Sequence, residues 1–111
     1  MRTERPWGNY RILEQGEVTC VKILRVYPKK QLSLQTHKLR DEIWFPTTRG
    51  LQAVIGDELI DLEPFERYEI PAGTQHRLIN PTDVTLEVIE LMLGVYDEED
   101  IERLEDDFGR S

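Results

Sequence analysis

The chain has 111 residues, 39% of them hydrophobic, and a formal net charge of −8. That length suits one domain with one core, and the hydrophobic share is that of a folded protein rather than a disordered one. The negative charge argues against a general nucleic-acid binder, which needs clustered Lys and Arg, and against a protein that adheres to anionic membranes.

In chain order, the sequence reads as short strands separated by turn residues. The predicted strands cover residues 9–13, 18–27, 31–37, 42–47, 51–55, 58–62, 66–70, 76–79 and 85–93. Gly56-Asp57 joins two of them as a tight hairpin. No helices alternate with these strands, so the pattern predicts an all-β sandwich or barrel rather than a parallel sheet.

The apolar residues of the C-terminal segment have a different spacing from those of the predicted strands. Ile101, Leu104 and Phe108 recur at spacings of three and four residues, which predicts a short amphipathic helix packed on the outside of the barrel. Much of the acidic charge lies in residues 97–107, so the rest of the chain is close to neutral. That part of the chain can therefore accept an anionic small substrate if local Arg and Lys hold it.

The sequence also carries signals about the compartment. One cysteine, Cys20, allows no internal disulfide, and a reducing cytoplasm fits best. No run of residues approaches the roughly 18 apolar residues of a membrane span, so no contact with a membrane is expected. Residues 1–5 are not followed by an apolar stretch, and a secretory signal is not expected.

Four side chains have the types and spacing of metal ligands. Gln35 and His37 alternate on one predicted strand and leave the same face of the sheet. Glu42 begins the next strand, and His76 follows a Pro-Ala-Gly turn. Imidazole, carboxylate and amide donors together suit Zn²⁺, Mn²⁺, Fe²⁺, Co²⁺ or Ni²⁺. On spacing alone, histidines that merely form hydrogen bonds remain the alternative.

Two segments resemble the metal-binding motifs of the cupins. Residues 71–80, Pro-Ala-Gly-Thr-Gln-His-Arg-Leu-Ile-Asn, have the form P-x-G-x-x-H-x-x-x-N of the second motif. Gln35-x-His37-x4-Glu42 fits the centre of the first motif, with Gln in place of its first His. The resemblance implies a single cupin domain over residues 1–111. Its fold would be a double-stranded β-helix, or jelly-roll barrel, with a divalent metal on Gln35, His37, Glu42 and His76.

A closer resemblance covers nearly the whole chain. Arg5-Pro6-Trp7-Gly8, Arg40-x-Glu42-x-Trp44, the segment 70–78 and the ending at Gly109-Arg110 occur in the order found in type II mannose-6-phosphate isomerases. In that family this is the C-terminal cupin domain of bifunctional enzymes that also carry a mannose-1-phosphate guanylyltransferase. The resemblance implies a metal-dependent isomerase that interconverts mannose 6-phosphate and fructose 6-phosphate. Zinc is the first metal expected, because type I phosphomannose isomerases hold zinc with the same types of ligand.

The reaction moves a proton between two sugar carbons and needs a base within hydrogen-bond reach. The sequence does not identify that base. Glu42 is a catalytic candidate through the metal. Lys22 is another, because it matches a lysine of the family; its alternative is an ordinary strand lysine that faces solvent.

A sugar phosphate also needs cations, and several candidates fall inside the family motifs. By resemblance, Arg110 is favoured for the phosphate group. Arg40 and Arg77 are further candidates for substrate binding, although Arg40 can instead pair with Asp41 or a neighbour. Arg77 follows His76 directly, so strand alternation turns it to the other face. Trp44, at i+2 from Glu42, shares its face and can wall the pocket.

The sequence departs from the family at three positions, where Lys38, Leu39 and Ile43 replace histidines. Two alternatives therefore stay open: a metal-containing sugar-binding cupin without catalysis, and a different cupin enzyme such as an iron oxygenase. A homodimer is expected, because the edges of an open barrel need covering.

Overall fold

A computed structural model describes residues 1–95, 97 and 99–107. The described residues form β-strands and no helix, which confirms the all-β prediction. The strands are β1 (Thr3–Arg5), β2 (Gly8–Gln15), β3 (Thr19–Val26), β4 (Leu34–Thr36), β5 (Arg40–Pro46), β6 (Gln52–Ile55), β7 (Glu58–Asp61), β8 (Tyr68–Ile70), β9 (His76–Ile79), β10 (Leu86–Gly94) and β11 (Glu102–Glu105). None of the described segments is a helix long and apolar enough to cross a membrane.

The strands form two antiparallel sheets. One has six strands in the order β1-β2-β3-β10-β5-β8, and the other has five in the order β11-β4-β9-β6-β7. Buried side chains from both sheets join one hydrophobic cluster, in which Trp44 and Val88 come from the first sheet and Ala53 and Leu78 from the second. The two inner faces therefore pack on each other and enclose the core, as expected of a sandwich or barrel.

Strands β3 and β10 show why these residues form paired strands. Along β3 every second side chain is buried, and β10 has the same alternation, which follows from the pleat of a strand. The two strands pair with Leu86 opposite Val26, so their inward side chains lie next to each other. Lys22 and Glu90 belong to these inward sets and face each other across the pair. Polar groups at inward positions indicate that the core ends here and a cavity begins.

The predicted hairpin at Gly56-Asp57 is confirmed. Ile55 pairs with Glu58, so two residues connect β6 to β7. Gly56 has a φ of 62°, a left-handed conformation that glycine adopts at little cost.

Gly94 permits a close approach between two chain segments beside the cavity. Its φ is 130°, and a Cβ atom there would lie 2.4 Å from the carbonyl oxygen of Leu39. The backbone N–H of Gly94 donates to Val18 O at 2.8 Å, and that of Val95 donates to Leu39 O at 3.0 Å. Glycine at this position therefore lets the end of β10 lie against the segment that leads into β5.

The predicted C-terminal helix is wrong for the described residues, because Glu102–Glu105 form β11 and pair with β4. Pairing supplies β4 with ladder hydrogen bonds along an otherwise open edge, and this tertiary gain outweighs the helical spacing of the apolar residues. Leu104, which the helix would have buried, is 44% exposed. Phe108 lies outside the described residues.

Candidate metal centre

A cavity opens between the two sheets and is lined by residues of both. Its acidic members are Glu42 and Glu90, and its basic members are Arg5, Lys22, Arg40, Arg77 and Arg103. In a chain with a net charge of −8, this is a local excess of positive charge. Such a cavity attracts anionic ligands.

His37, Glu42 and His76 converge at the cavity. All three are buried, and one ligand atom from each lies within 4.8 Å of the others. Oε1 of Glu42 is 3.0 Å from Nε2 of His76 and 3.7 Å from Nδ1 of His37. Ligand atoms placed about 2.0–2.2 Å from one zinc ion are separated by roughly these distances. The three predicted ligands are therefore brought together as the motif requires.

The polar atoms of this cluster fit a cation. Glu42 Oε1 and His37 Nδ1 are buried, and neither has a well-aligned hydrogen bond to the described residues. His76 Nδ1 lies 2.9 Å from the carbonyl oxygen of Thr74. A carbonyl only accepts, so Nδ1 carries the proton and Nε2 is the nitrogen that faces Glu42. Glu42 Oε1, His37 Nδ1 and His76 Nε2 together form a suitable donor set for a divalent metal.

Burial and charge prepare His37 and Glu42 for metal binding, whereas His76 must lose a proton that Glu42 stabilises. Burial lowers the pKa of His37 to about 4, so its ring is neutral at neutral pH. Burial by itself would raise the pKa of Glu42, but the contact with His76 and the charges of His37 and Arg40 lower it to about 2. Burial opposes the protonation of His76, yet its contact with Glu42 leaves the pKa of His76 raised. The carboxylate is thus ionised at neutral pH, as a metal ligand must be.

Gln35 lies beside the cluster. It pairs with His76 across β4 and β9, so the two side chains leave the same face. Its amide nitrogen donates to Ser33 Oγ at 3.0 Å. That bond identifies the amide oxygen as the atom available to a ligand in the cavity, which Gln35 also lines. Its role as a metal ligand stays a prediction.

Arg40 and Trp44 alternate with Glu42 on β5 and reach the same cavity. Arg40 Nε donates to Glu42 Oε2 at 3.2 Å, so its carboxylate partner is Glu42 and not Asp41, whose Oδ1 accepts from the backbone of Ala72. Trp44 stacks edge-on against His76, with ring centroids 5.7 Å apart. The predicted pocket wall at Trp44 is therefore present in the geometry, and Arg40 holds the second oxygen of the central carboxylate.

Lys22 faces the cavity rather than solvent. Its side chain is buried, and Nζ lies 4.5 Å from the centre of the Tyr10 ring. Its cross-strand partner Glu90 accepts a 2.8 Å hydrogen bond from Trp44 Nε1. Burial and the nearby Glu42 carboxylate raise the pKa of Glu90 to about 7. The cavity thus contains a carboxyl group able to exchange a proton near neutral pH, beside a buried lysine.

The remaining predicted positions among the described residues lie at the border of the cavity or outside it. Arg77 borders the cavity, but its Nε donates to Leu32 O at 2.9 Å and its Nη1 lies 3.4 Å from Glu105 Oε1. Leu39 is 52% exposed, and Ile43 is buried on the side of β5 opposite Glu42. Neither is among the described residues that line the cavity, so the two apolar replacements do not fill it. Arg110 lies outside the described residues.

Sequence reasoning missed two charged residues of the cavity. Glu90 sits at an inward position of a long alternating strand, and a carboxylate there is the signal that could have identified it. Arg103 was missed because the spacing of Ile101, Leu104 and Phe108 predicted a helix in this part of the chain. With a strand period, Ile101 and Arg103 share a face, and both line the cavity.

Comparison with known protein families agrees with this geometry. The model of the family described as "Mannose-6-phosphate isomerase C-terminal" matches residues 1–106. The xanthan biosynthesis protein XanB of Xanthomonas campestris is 41% identical over 108 residues, which are 96% of this chain and 23% of that protein. The alginate biosynthesis protein AlgA of Pseudomonas aeruginosa is also 41% identical, over 96% of this chain and 22% of its own length. The chain thus spans less than a quarter of these relatives.

Solved structures show the same fold at low sequence identity. KdgF from Halomonas sp. superposes with a TM-score of 0.80 at 15% identity, covering 89% of this chain and 90% of that one. A cupin-2 domain protein from Rhodospirillum rubrum superposes with a TM-score of 0.73 at 15% identity, covering 90% and 76%. The cupin fold predicted from the sequence is confirmed.

Proposed function

The chain belongs to the mannose-6-phosphate isomerase C-terminal family, and we propose that it is a metal-dependent isomerase interconverting mannose 6-phosphate and fructose 6-phosphate. One observation carries the proposal. His37, Glu42 and His76 place three buried ligand atoms within 4.8 Å of one another in a cavity that is rich in Arg and Lys. Such a cavity offers a metal site and an anion site together, which is what a sugar phosphate isomerase requires.

The metal would be held by His37, Glu42 and His76, with Gln35 as the fourth ligand, and zinc is the metal proposed first. A divalent ion at this position supplies a positive charge that stabilises the oxygens of an enediol. Arg40 keeps the Glu42 carboxylate oriented through its other oxygen. Trp44 and the strand around it exclude water from one wall of the site.

Proton transfer is proposed for the cross-strand pair Lys22 and Glu90. Both side chains are buried in the cavity wall, and they lie opposite each other on β3 and β10. A group with a pKa of about 7 can accept a proton from one sugar carbon and return it to the next at neutral pH. Lys22 keeps a positive charge beside that carboxyl and a developing enediolate oxygen.

The proposal includes a cytoplasmic location and a homodimer. Cys20 is a free, buried thiol, compatible with a reducing compartment. The outer strands β1, β8, β7 and β11 leave sheet edges that a second copy can cover. Light scattering coupled to gel filtration tests the dimer directly.

The isomerase is tested by loading the protein in turn with Zn²⁺, Mn²⁺ and Co²⁺ and measuring fructose 6-phosphate formed from mannose 6-phosphate. Glu42→Gln and His76→Ala should abolish turnover, while Glu63→Gln, which alters an exposed ion pair with Arg49, should leave it unchanged. Metal-dependent turnover with this pattern supports the proposal. A folded, metal-loaded protein without turnover contradicts it.

One observation favours a second candidate. Two histidines and one carboxylate are also the ligand set of iron oxygenases that keep coordination positions open for oxygen and substrate. Iron-loaded protein that consumes oxygen in the presence of a small organic substrate would support that function, whereas its failure to do so beside zinc-dependent isomerisation would exclude it.

A further inference from the structure

Arg103 is brought to the cavity by the strand that replaces the predicted helix. It pairs with Gln35 across β11 and β4, and Gln35 in turn pairs with His76 across β4 and β9. Directly opposed residues share a face of the sheet. Arg103, Gln35 and His76 therefore form a row on the inner face, and all three line the cavity.

The Nε donor of Arg103 differs from the Nε donors of the neighbouring arginines, Arg77 and Arg40. Arg77 is bonded to Leu32 O and approaches Glu105, and Arg40 is bonded to Glu42. The Nε atom of Arg103 is buried and has no hydrogen-bond partner among the residues that the structure describes. A guanidinium is always charged, and a buried donor without a partner is costly. The guanidinium of Arg103 thus has a donor available to an anion in the cavity.

The spacing suits a ligand that spans the cavity. Two strand intervals separate Arg103 from His76, and neighbouring strands lie about 4.8 Å apart, so their backbones are roughly 10 Å apart. Their side chains project into the same cavity from the two ends of this row. A six-carbon sugar phosphate whose first carbons lie at the metal ligands is long enough to place its phosphate at the arginine.

Hydrogen bonds join the segment that carries Arg103 to the segment that carries His37. The carboxylate of Asp100 accepts the backbone N–H groups of Lys38 at 3.0 Å and Leu39 at 2.9 Å. After β11, the carboxylate of Asp107 accepts a hydrogen bond of 2.9 Å from the side-chain amide of Gln31. These contacts on both sides of β11 hold the arginine at a fixed position relative to the metal ligands.

We propose that Arg103 binds the phosphate group of the substrate while the reacting end of the sugar lies at His37, Glu42 and His76. This rests on the proposed function and names the residue that selects phosphorylated over free sugars. Its planar fork can donate two parallel hydrogen bonds to phosphate oxygens.

The test measures binding rather than turnover. Calorimetry on the metal-loaded protein compares mannitol 6-phosphate, which has no carbonyl and cannot isomerise, with mannitol. The variants are Arg103→Gln and Arg103→Lys, with Arg49→Gln as the control because it removes the same charge from an exposed ion pair. Metal content and thermal unfolding of each variant show that the site and the fold are intact.

Loss of the charged hydrogen bonds should weaken binding of mannitol 6-phosphate at least about tenfold in Arg103→Gln, and by a smaller factor in Arg103→Lys. Binding of mannitol should not change, and Arg49→Gln should behave as wild type. Arg103→Gln binding mannitol 6-phosphate as tightly as the Arg49→Gln control would overturn the proposal. So would a wild-type protein that binds mannitol as tightly as its phosphate.

Two further measurements distinguish binding of the phosphate by Arg103 from binding by the metal, and phosphate binding from isomerase activity. If phosphate affinity disappears when the metal is removed and is insensitive to Arg103, the phosphate binds the metal and the proposal is overturned. If Arg103-dependent binding is found but mannose 6-phosphate is not isomerised with any metal, the phosphate contact stands and only the isomerase function is contradicted.

Discussion

Trp44 Nε1 donates a hydrogen bond of 2.8 Å to Glu90 Oε2, and the two residues are directly paired across β5 and β10. The indole therefore satisfies a carboxyl group that the fold has buried between the predicted metal ligands and Lys22. Without such a donor, a buried carboxylate would be strongly disfavoured. The bond connects the wall of the metal site to the group proposed to move protons.

Glu90→Gln should change how stability depends on pH. The pKa of Glu90 is raised from 4.5 to about 7, so its protonation contributes stability that is fully present below about pH 4.5 and is lost as the pH rises through 7. At most this loss amounts to about 3 kcal/mol. An uncharged glutamine keeps an oxygen for Trp44 and removes the loss.

Urea unfolding of metal-free wild type and Glu90→Gln between about pH 5 and pH 8 measures this difference. The stability of the variant relative to wild type should rise by about 1–3 kcal/mol across that range. If the free energy of unfolding changed with pH in the same way in both proteins, Glu90 would titrate as an ordinary carboxyl. Glu87→Gln, which alters a carboxylate whose pKa is lowered by Thr47 and Arg25, should not reproduce the effect.

Removal of any of the three clustered ligands should weaken metal binding. His37→Ala, Glu42→Gln and His76→Ala each delete one buried ligand atom. Loss of an outer contact to a metal ligand already costs about 10–100-fold in affinity, so loss of a ligand should cost at least about 100-fold. Competition with a fluorescent chelator measures the affinity, and Glu63→Gln serves as the exposed control. Unchanged affinity in two of the three variants would place the metal elsewhere.

Leu39→His should leave the metal site as it is. The Leu39 side chain is 52% exposed, and the backbone N–H, not the side chain, makes the contact with Asp100. Metal affinity of the variant should stay within about twofold of wild type, because the exposed side chain at this position does not line the cavity. The same chelator competition detects a change. Tighter binding would mean that position 39 contributes a ligand.

Gly94→Ala should destabilise the protein more than Gly56→Ala. Both glycines have positive φ, but a Cβ at Gly94 would lie 2.4 Å from Leu39 O, whereas nothing lies within 4 Å at Gly56. Gly56→Ala should therefore cost about 1 kcal/mol for its backbone conformation alone, and Gly94→Ala should cost more because neighbouring backbone must also move. Thermal and urea unfolding of the two variants provide the comparison. Equal losses of unfolding free energy in the two variants would show that the backbone before β5 can shift at little cost.

The local pattern of the chain was enough to predict most of the strands. Alternation in residues 18–27 and 85–93 predicted β3 and β10, and Gly56-Asp57 predicted a hairpin, because both signals depend on neighbours in sequence. The helical spacing of Ile101 and Leu104 was misleading for the opposite reason. Whether that segment pairs as a strand depends on the free edge of β4, which is distant in sequence.

By itself, the sequence predicted the all-β class, the cupin fold and the three residues that cluster at the cavity, His37, Glu42 and His76, because alternation and motif spacing encode which side chains share a face. Only the tertiary structure decided what surrounds them. The pairing of β10 with β3 and β5 placed Glu90 between Lys22 and Trp44, and the pairing of β11 with β4 placed Arg103 at the cavity. Those neighbours come from strands far apart in the chain, so their contacts are set by sheet registry rather than by local pattern.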